Sequence, residues 1–127
     1  MYTYEASIDG KNWRTFTNVI EVEGDLHRLA LGNSDIFLIR STPQIDGIST
    51  VQANGVKLWD GIFKKRNIRI EHTIEILIGD EHETKKIYRH ITDEFQEVYA
   101  IFKNYIMNQK LPEYEQWVDM TREILGR

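Results

Sequence analysis

At 127 residues and a net charge of −4, the chain has the length of one domain, spanning 1–127, with room to bury its own core and no cation surplus for duplex nucleic acid. The absence of cysteine excludes disulfides and thiolate metal sites, and no apolar run approaches the ~20 residues of a membrane span. Met1–Glu5 has neither the basic region nor the apolar stretch of a secretory leader, so a soluble, cytoplasmic protein without membrane contact is expected.

Tyr2, Tyr4, Ala6 and Ile8 alternate with Thr3, Glu5 and Ser7, which predicts a half-buried strand. Asp9-Gly10 turns the chain and Trp13–Phe16 returns it. Asn18–Glu23 continues as strand to Gly24-Asp25. Leu26–Leu31 fits either period, and its neighbours favour strand. Ile36–Ile39 is an unbroken apolar run within Ser34–Arg40, consistent with a central strand buried on both faces.

Thr42–Gly47, with Pro43 and Asp46-Gly47, reads as loop. Ser49–Ala53 and Val56–Trp59 flank Asn54-Gly55, the strongest short hairpin signal in the chain. Asp60-Gly61 turns again. Arg66–Ile78 is a long strand with Ile68, Ile70, His72, Ile74, Ile76 and Ile78 on one face, and Gly79-Asp80-Glu81 returns it into Thr84–Ile91.

The period then changes. Thr92 offers an N-cap, and Phe95, Val98, Tyr99, Phe102, Tyr105 and Ile106 form the stripe of a helix over about 92–109. Pro112 suits the first position of a second helix, about 112–125, with Tyr114, Trp117, Val118, Thr121, Ile124 and Leu125 as its stripe. The class is therefore α+β: a mostly antiparallel sheet over residues 2–91 followed by two C-terminal amphipathic helices.

Ser7-Ile8-Asp9-Gly10-Lys11-Asn12-Trp13 resembles the Asp-box hairpin of sialidases and other β-propellers, a structural turn that implies no glycosidase activity here. His27, His72, His82 and His90 show no metal-ligand spacing, and neither a nucleophile elbow nor a phosphate loop is present. The expectation is a protein that is not an enzyme and holds no metal or cofactor. Charge is uneven: −3 over 1–60, +2 over 61–91 and −3 over 92–127. Lys64, Lys65, Arg66 and Arg69, with Lys85, Lys86 and Arg89, are the basic set; they read as edge-strand charges that discourage aggregation or as an anion-binding surface.

Aromatics on the helical stripes stand near Asn104, Asn108, Asp119 and Arg122, the residue types a nucleotide pocket combines. The order of sheet and then two helices resembles the phage Thoeris anti-defence family, small proteins that sequester cyclic ADP-ribose-type signals made by bacterial TIR enzymes. The resemblance covers the whole chain by layout. It implies a homo-oligomer in the host cytoplasm that binds a small nucleotide ligand without cleaving it. Phe95 would stack on the base, Asn104 would fix a ribose or base edge, and Arg122 and Arg69 would meet the phosphates. A second expectation, from Glu113, Glu115, Asp119 and Glu123, is a protein-interaction module such as a toxin-immunity or inhibitor protein that caps a basic partner.

Overall fold

Strand alternation near the N-terminus gives β1 (Thr3–Ser7) and β2 (Arg14–Phe16), with Tyr4, Ala6 and Phe16 turned inward. The computed structural model describes residues 2–60, 67–80 and 82–126. Between the two strands Asp9 Oδ1 accepts the amides of Lys11 and Asn12, each at 2.8 Å, while Ser7 Oγ accepts that of Gly10. Gly10 takes φ +77°, a conformation that side chains with a Cβ avoid. The Asp-box-like segment is thus a self-bonded turn. Trp13, after it, packs under the Arg40 guanidinium, 3.9 Å from its ring centroid.

The expectation of strand over Asn18–Glu23 and Leu26–Leu31 is corrected. Val19–Val22 is a 3-10 turn that leads into helix α1 (Glu23–Leu29). A reciprocal cap starts it: Asn18 Oδ1 accepts the Ile20 amide and Glu21 Oε2 accepts the Asn18 amide, both at 3.0 Å. Val19, Val22, Leu26 and Leu29 recur at helical spacing and are buried. The cap and that stripe outweigh the β-branched composition of the segment.

Strands β3 (Asn33–Thr42), β4 (Ile48–Asp60), β5 (Asn67–Gly79) and β6 (Thr84–Thr92) follow, with a cis Thr42–Pro43 bond in the first connection. Asn54-Gly55 is not a hairpin turn; it lies inside the 13-residue β4. Asn54 Oδ1 accepts the Thr73 amide of β5 at 3.1 Å, standing in for a ladder bond. Gly55 is there for space: a Cβ on it would lie 2.0 Å from the Leu29 carbonyl oxygen at the end of α1. In β3, Phe37 and Ile39 are buried while Ile36 and Leu38 are only half-buried, so the run is covered on one face rather than two.

On β5, His72, Ile74 and Ile76 are fully buried along one face, as the alternation predicts. Gly61, Lys64, Lys65, Arg66 and Glu81 lie outside the described residues. Helix α2 (Phe95–Asn108) follows β6; its N-cap is Glu94 rather than Thr92, whose Oγ1 instead accepts the Glu94 amide at 3.1 Å. Left-handed Gln109 closes the helix, with the Lys110 amide returning to the Asn104 carbonyl.

The predicted helix over about 112–125 is also corrected. Its place is taken by a 3-10 turn (Tyr114–Gln116), a two-residue strand β7 (Val118–Asp119) and a one-turn helix α3 (Thr121–Leu125). The edge of β6 decides this. Val118 and Asp119 pair with Arg89 and Tyr88, the Met120 amide donates to the Ile87 carbonyl at 2.8 Å, and Thr121 Oγ1 accepts the Ile87 amide. These bonds satisfy a strand edge that a continuous helix would leave bare.

Among the described residues the strands form one antiparallel sheet in the order β2-β1-β3-β4-β5-β6-β7. The core lies between one sheet face (Phe37, Ile39, Val51, Ile74, Ile76) and the inner sides of α1 and α2. Phe37 meets Phe102 edge-on at 5.2 Å, and Tyr105 is fully buried with its hydroxyl donating to Ser41 Oγ. The opposite face carries polar cross-strand pairs. Gln52 Nε2 and the Arg89 guanidinium both donate to Glu75, and Arg40 Nε donates to Glu5. The α+β class stands, with a helix placed inside the strand-rich half as well as after it.

Candidate functional site

The groove with the most distinctive chemistry lies where α2 passes β6 and the segment 112–117. It encloses about 280 Å³ and is lined by His90 and Glu97 at one end, Ala100, Ile101 and Pro112 along its walls, and Asn104 and Trp117. Strand alternation puts His90 on the helix side of β6, directly across from buried Ile74. Glu97 sits in the first turn of α2, and Ala100, Ile101 and Asn104 follow one and two turns on. Beyond the end of α2, Pro112 and the 3-10 turn bring Trp117 back over His90.

His90 is held from two sides. Its Nε2 lies 2.9 Å from Glu97 Oε1, and its ring stacks on Trp117 with centroids 5.1 Å apart and planes 24° off parallel. The bond from His90 is the main reason the Glu97 carboxyl titrates below its ordinary value; burial opposes it. Asn104 Oδ1 accepts from the Asn108 side-chain Nδ2 at 2.7 Å, which leaves the Asn104 side-chain N–H donors with no partner among the described residues. His90 and Trp117 also border a second hollow of about 440 Å³, next to Arg89, Ile91, Gln116 and Val118. The arrangement offers flat aromatic surface, one carboxylate acceptor and one amide donor. No serine, threonine or cysteine lines the groove.

Of the four residues expected to bind ligand, Asn104 alone lines this groove. Phe95 begins α2 on its other side, since nine residues of α-helix amount to about two and a half turns. Its half-buried ring is occupied by three others: His27 at 5.4 Å, His72 at 5.9 Å and Tyr99 at 6.3 Å. Arg122 is exposed on α3, and Arg69 is exposed on β5 opposite Leu58 of β4. Lys86 pairs with Ile78, nine residues along β5 from Arg69, roughly 30 Å at the rise of a strand. Arg69 and Lys85–Lys86 therefore belong to different ends of the sheet, while Arg89 is tied to Glu75 at 2.7 Å.

His90, Glu97 and Trp117 were not legible as a group. The one available signal was an aromatic cluster just past Pro112, which reads equally as a helix stripe. Among the described residues, no cluster of three or more potential metal ligands occurs, and no helix is long and apolar enough to cross a membrane. No protein-family model, curated protein or solved structure matches the chain.

Proposed function

We propose that this protein is a non-catalytic binder that sequesters a small nucleotide-class signal, with the planar base seated in the groove between α2 and Trp117. The observation that carries the reading is the stacked His90–Trp117 pair beside an Asn104 amide with unspent donors. A flat heterocycle gains about 1–3 kcal/mol from an aromatic surface, and a base carbonyl or ring nitrogen accepts from the amide. Rings already stacked and a carboxylate already bonded to His90 suit holding a flat ligand in place. The reading extends to a homo-oligomer and to signals of the cyclic ADP-ribose type, with Asn104 kept as a ligand residue. Phe95, Arg122 and Arg69 act in it only if a second subunit or a longer ligand reaches them.

The test is mass spectrometry of small molecules released by heating the purified protein, with native mass measured alongside. The expected result is an intact nucleotide whose rebinding quenches tryptophan fluorescence and is weakened about tenfold or more by Trp117→Ala. An altered nucleotide would make the protein an enzyme, and unchanged affinity in Trp117→Ala would remove the groove from the site.

A second reading, an interaction module for a basic partner, is favoured by one observation. Glu113, Glu115, Asp119 and Glu123, although not on one helix, are all exposed along the segment that edges β6. A ligand-free protein that forms a salt-sensitive complex with a basic protein would support this reading over the first.

A further inference from the structure

Away from the Trp117 groove, and sharing no residue with it, β1, β3, β4 and the β5–β6 turn enclose a larger cleft of about 630 Å³. Every residue that lines it is polar, among them Glu5, Arg40, Thr42, Gln44, Thr50 and Asp80. The volume is that of an ordinary small-molecule site, but such sites are mainly apolar, so the wall chemistry selects the ligand. An apolar molecule would strip water from these groups and return no hydrogen bonds.

The charged groups are fixed in place. Arg40 is clamped between Glu5, at 3.0 Å from Nε to Oε1, and the face of Trp13. Asp80 Oδ1 accepts the amides of His82 and Glu83 at 2.8 and 2.9 Å, which holds its carboxyl below the usual range and leaves Oδ2 as an acceptor. With one guanidinium against two carboxylates, the cleft does not favour an anion. Its neutral side chains are unequally committed. Ser41 and Ser49 are committed, donating to the Pro43 and Leu77 carbonyls. Thr42, Gln44 and Thr50 have no side-chain hydrogen-bond partner among the described residues.

We propose that this cleft binds a neutral polyhydroxylated ligand of the sugar or cyclitol class. A hydroxyl group both donates and accepts, which matches a wall where carboxylate acceptors alternate with hydroxyl and amide groups. Adjacent ligand hydroxyls donate to Glu5 or to Asp80 Oδ2 and accept from Arg40, Gln44 or a threonine. The site goes beyond the nucleotide reading and stands or falls independently of it.

The experiment is an amide-resolved NMR titration of the full chain with glucose, ribose and myo-inositol, each run to saturation, and with inorganic phosphate as the anionic comparison. The expected result is saturable shifts confined to residues 4–6, 40–50, 80 and 82–84, with no response there to phosphate. Thr50→Val keeps the branched shape suited to a strand, and Gln44→Ala alters an exposed side chain, so a dispersed spectrum checks that each is folded. Each variant is expected to weaken polyol binding about five- to tenfold, the value of one lost hydrogen bond. Silence with all three polyols, a phosphate response at the same amides, or wild-type affinity in both folded variants would overturn the proposal.

Discussion

Gly55 lets α1 rest on β4, with the Leu29 carbonyl in the space a side chain would fill. Gly55→Ala is expected to destabilise the fold by about 3 kcal/mol or more, because the obstructing atom is backbone rather than a flexible side chain. Urea unfolding measures it, and a loss within ~0.5 kcal/mol would mean that α1 can shift aside. Tyr105 gives a second residue-scale prediction. Burial pushes its phenol up to about 12 from 10.0, while the Ser41 bond pulls the other way. The folded state thus holds the proton more tightly than the unfolded chain. The contribution is intact below about pH 10 and is lost as pH rises from 10 to 12, on the order of 2 kcal/mol. Tyr105→Phe is expected to flatten the alkaline fall in stability. It also removes the bond to Ser41, at a cost of about 1 kcal/mol near neutrality.

At the scale of elements, the local signals that succeeded are those tied to the chain's own periodicity. Strand β5 with its isoleucine face and helix α2 with its stripe lie within a few residues of where the pattern puts them. The 3-10 turn and helix α1 together carried equally sound signals, a capping box over Asn18–Glu21 on the turn and apolar residues at helical spacing through both, but α1's seven residues are too few to dominate a strand-rich neighbourhood. Asn18→Ala is expected to cost about 1 kcal/mol by freeing the Ile20 amide, and thermal unfolding of the variant checks it. The 112–125 segment failed differently. Its apolar stripe is real, but a bare edge of β6 competes for its backbone and wins with hydrogen bonds from Met120 and to Thr121. Hence Trp117 reaches the groove from an irregular segment, and no helical wheel would have aimed it at His90.

For the whole molecule, charge placement sets a pH window. The carboxyls of Asp9, Glu21, Asp80, Glu97 and Asp119 are all held below their ordinary values, chiefly by hydrogen bonds from nearby backbone or side-chain groups. Because the folded values are depressed, their contribution is present above the ordinary values of 3.8 and 4.5 and is lost as pH falls below them. Stability is expected to fall as pH drops below about 4 and again as it rises above about 10, where the tyrosines act. Urea midpoints across that range measure it. An acid limb that does not steepen below about pH 4 would mean these bonds persist in the unfolded chain.

Local pattern along the chain accounts for the α+β class, the long paired strands after residue 67, the α2 stripe and the Asp9 turn. Each rests on a period or a side-chain-to-backbone bond spanning only a few residues. Tertiary structure decided the rest. Gly55 serves a contact with α1 more than twenty residues away, the C-terminal segment yields to a strand edge, and Phe95 is taken up by neighbouring rings while Asn104 opens onto a groove. The groove joins residues of β6, α2 and the segment after Pro112, and the polar cleft joins four strands. Proximity of that kind comes from sheet register and helix docking, which no local spacing encodes.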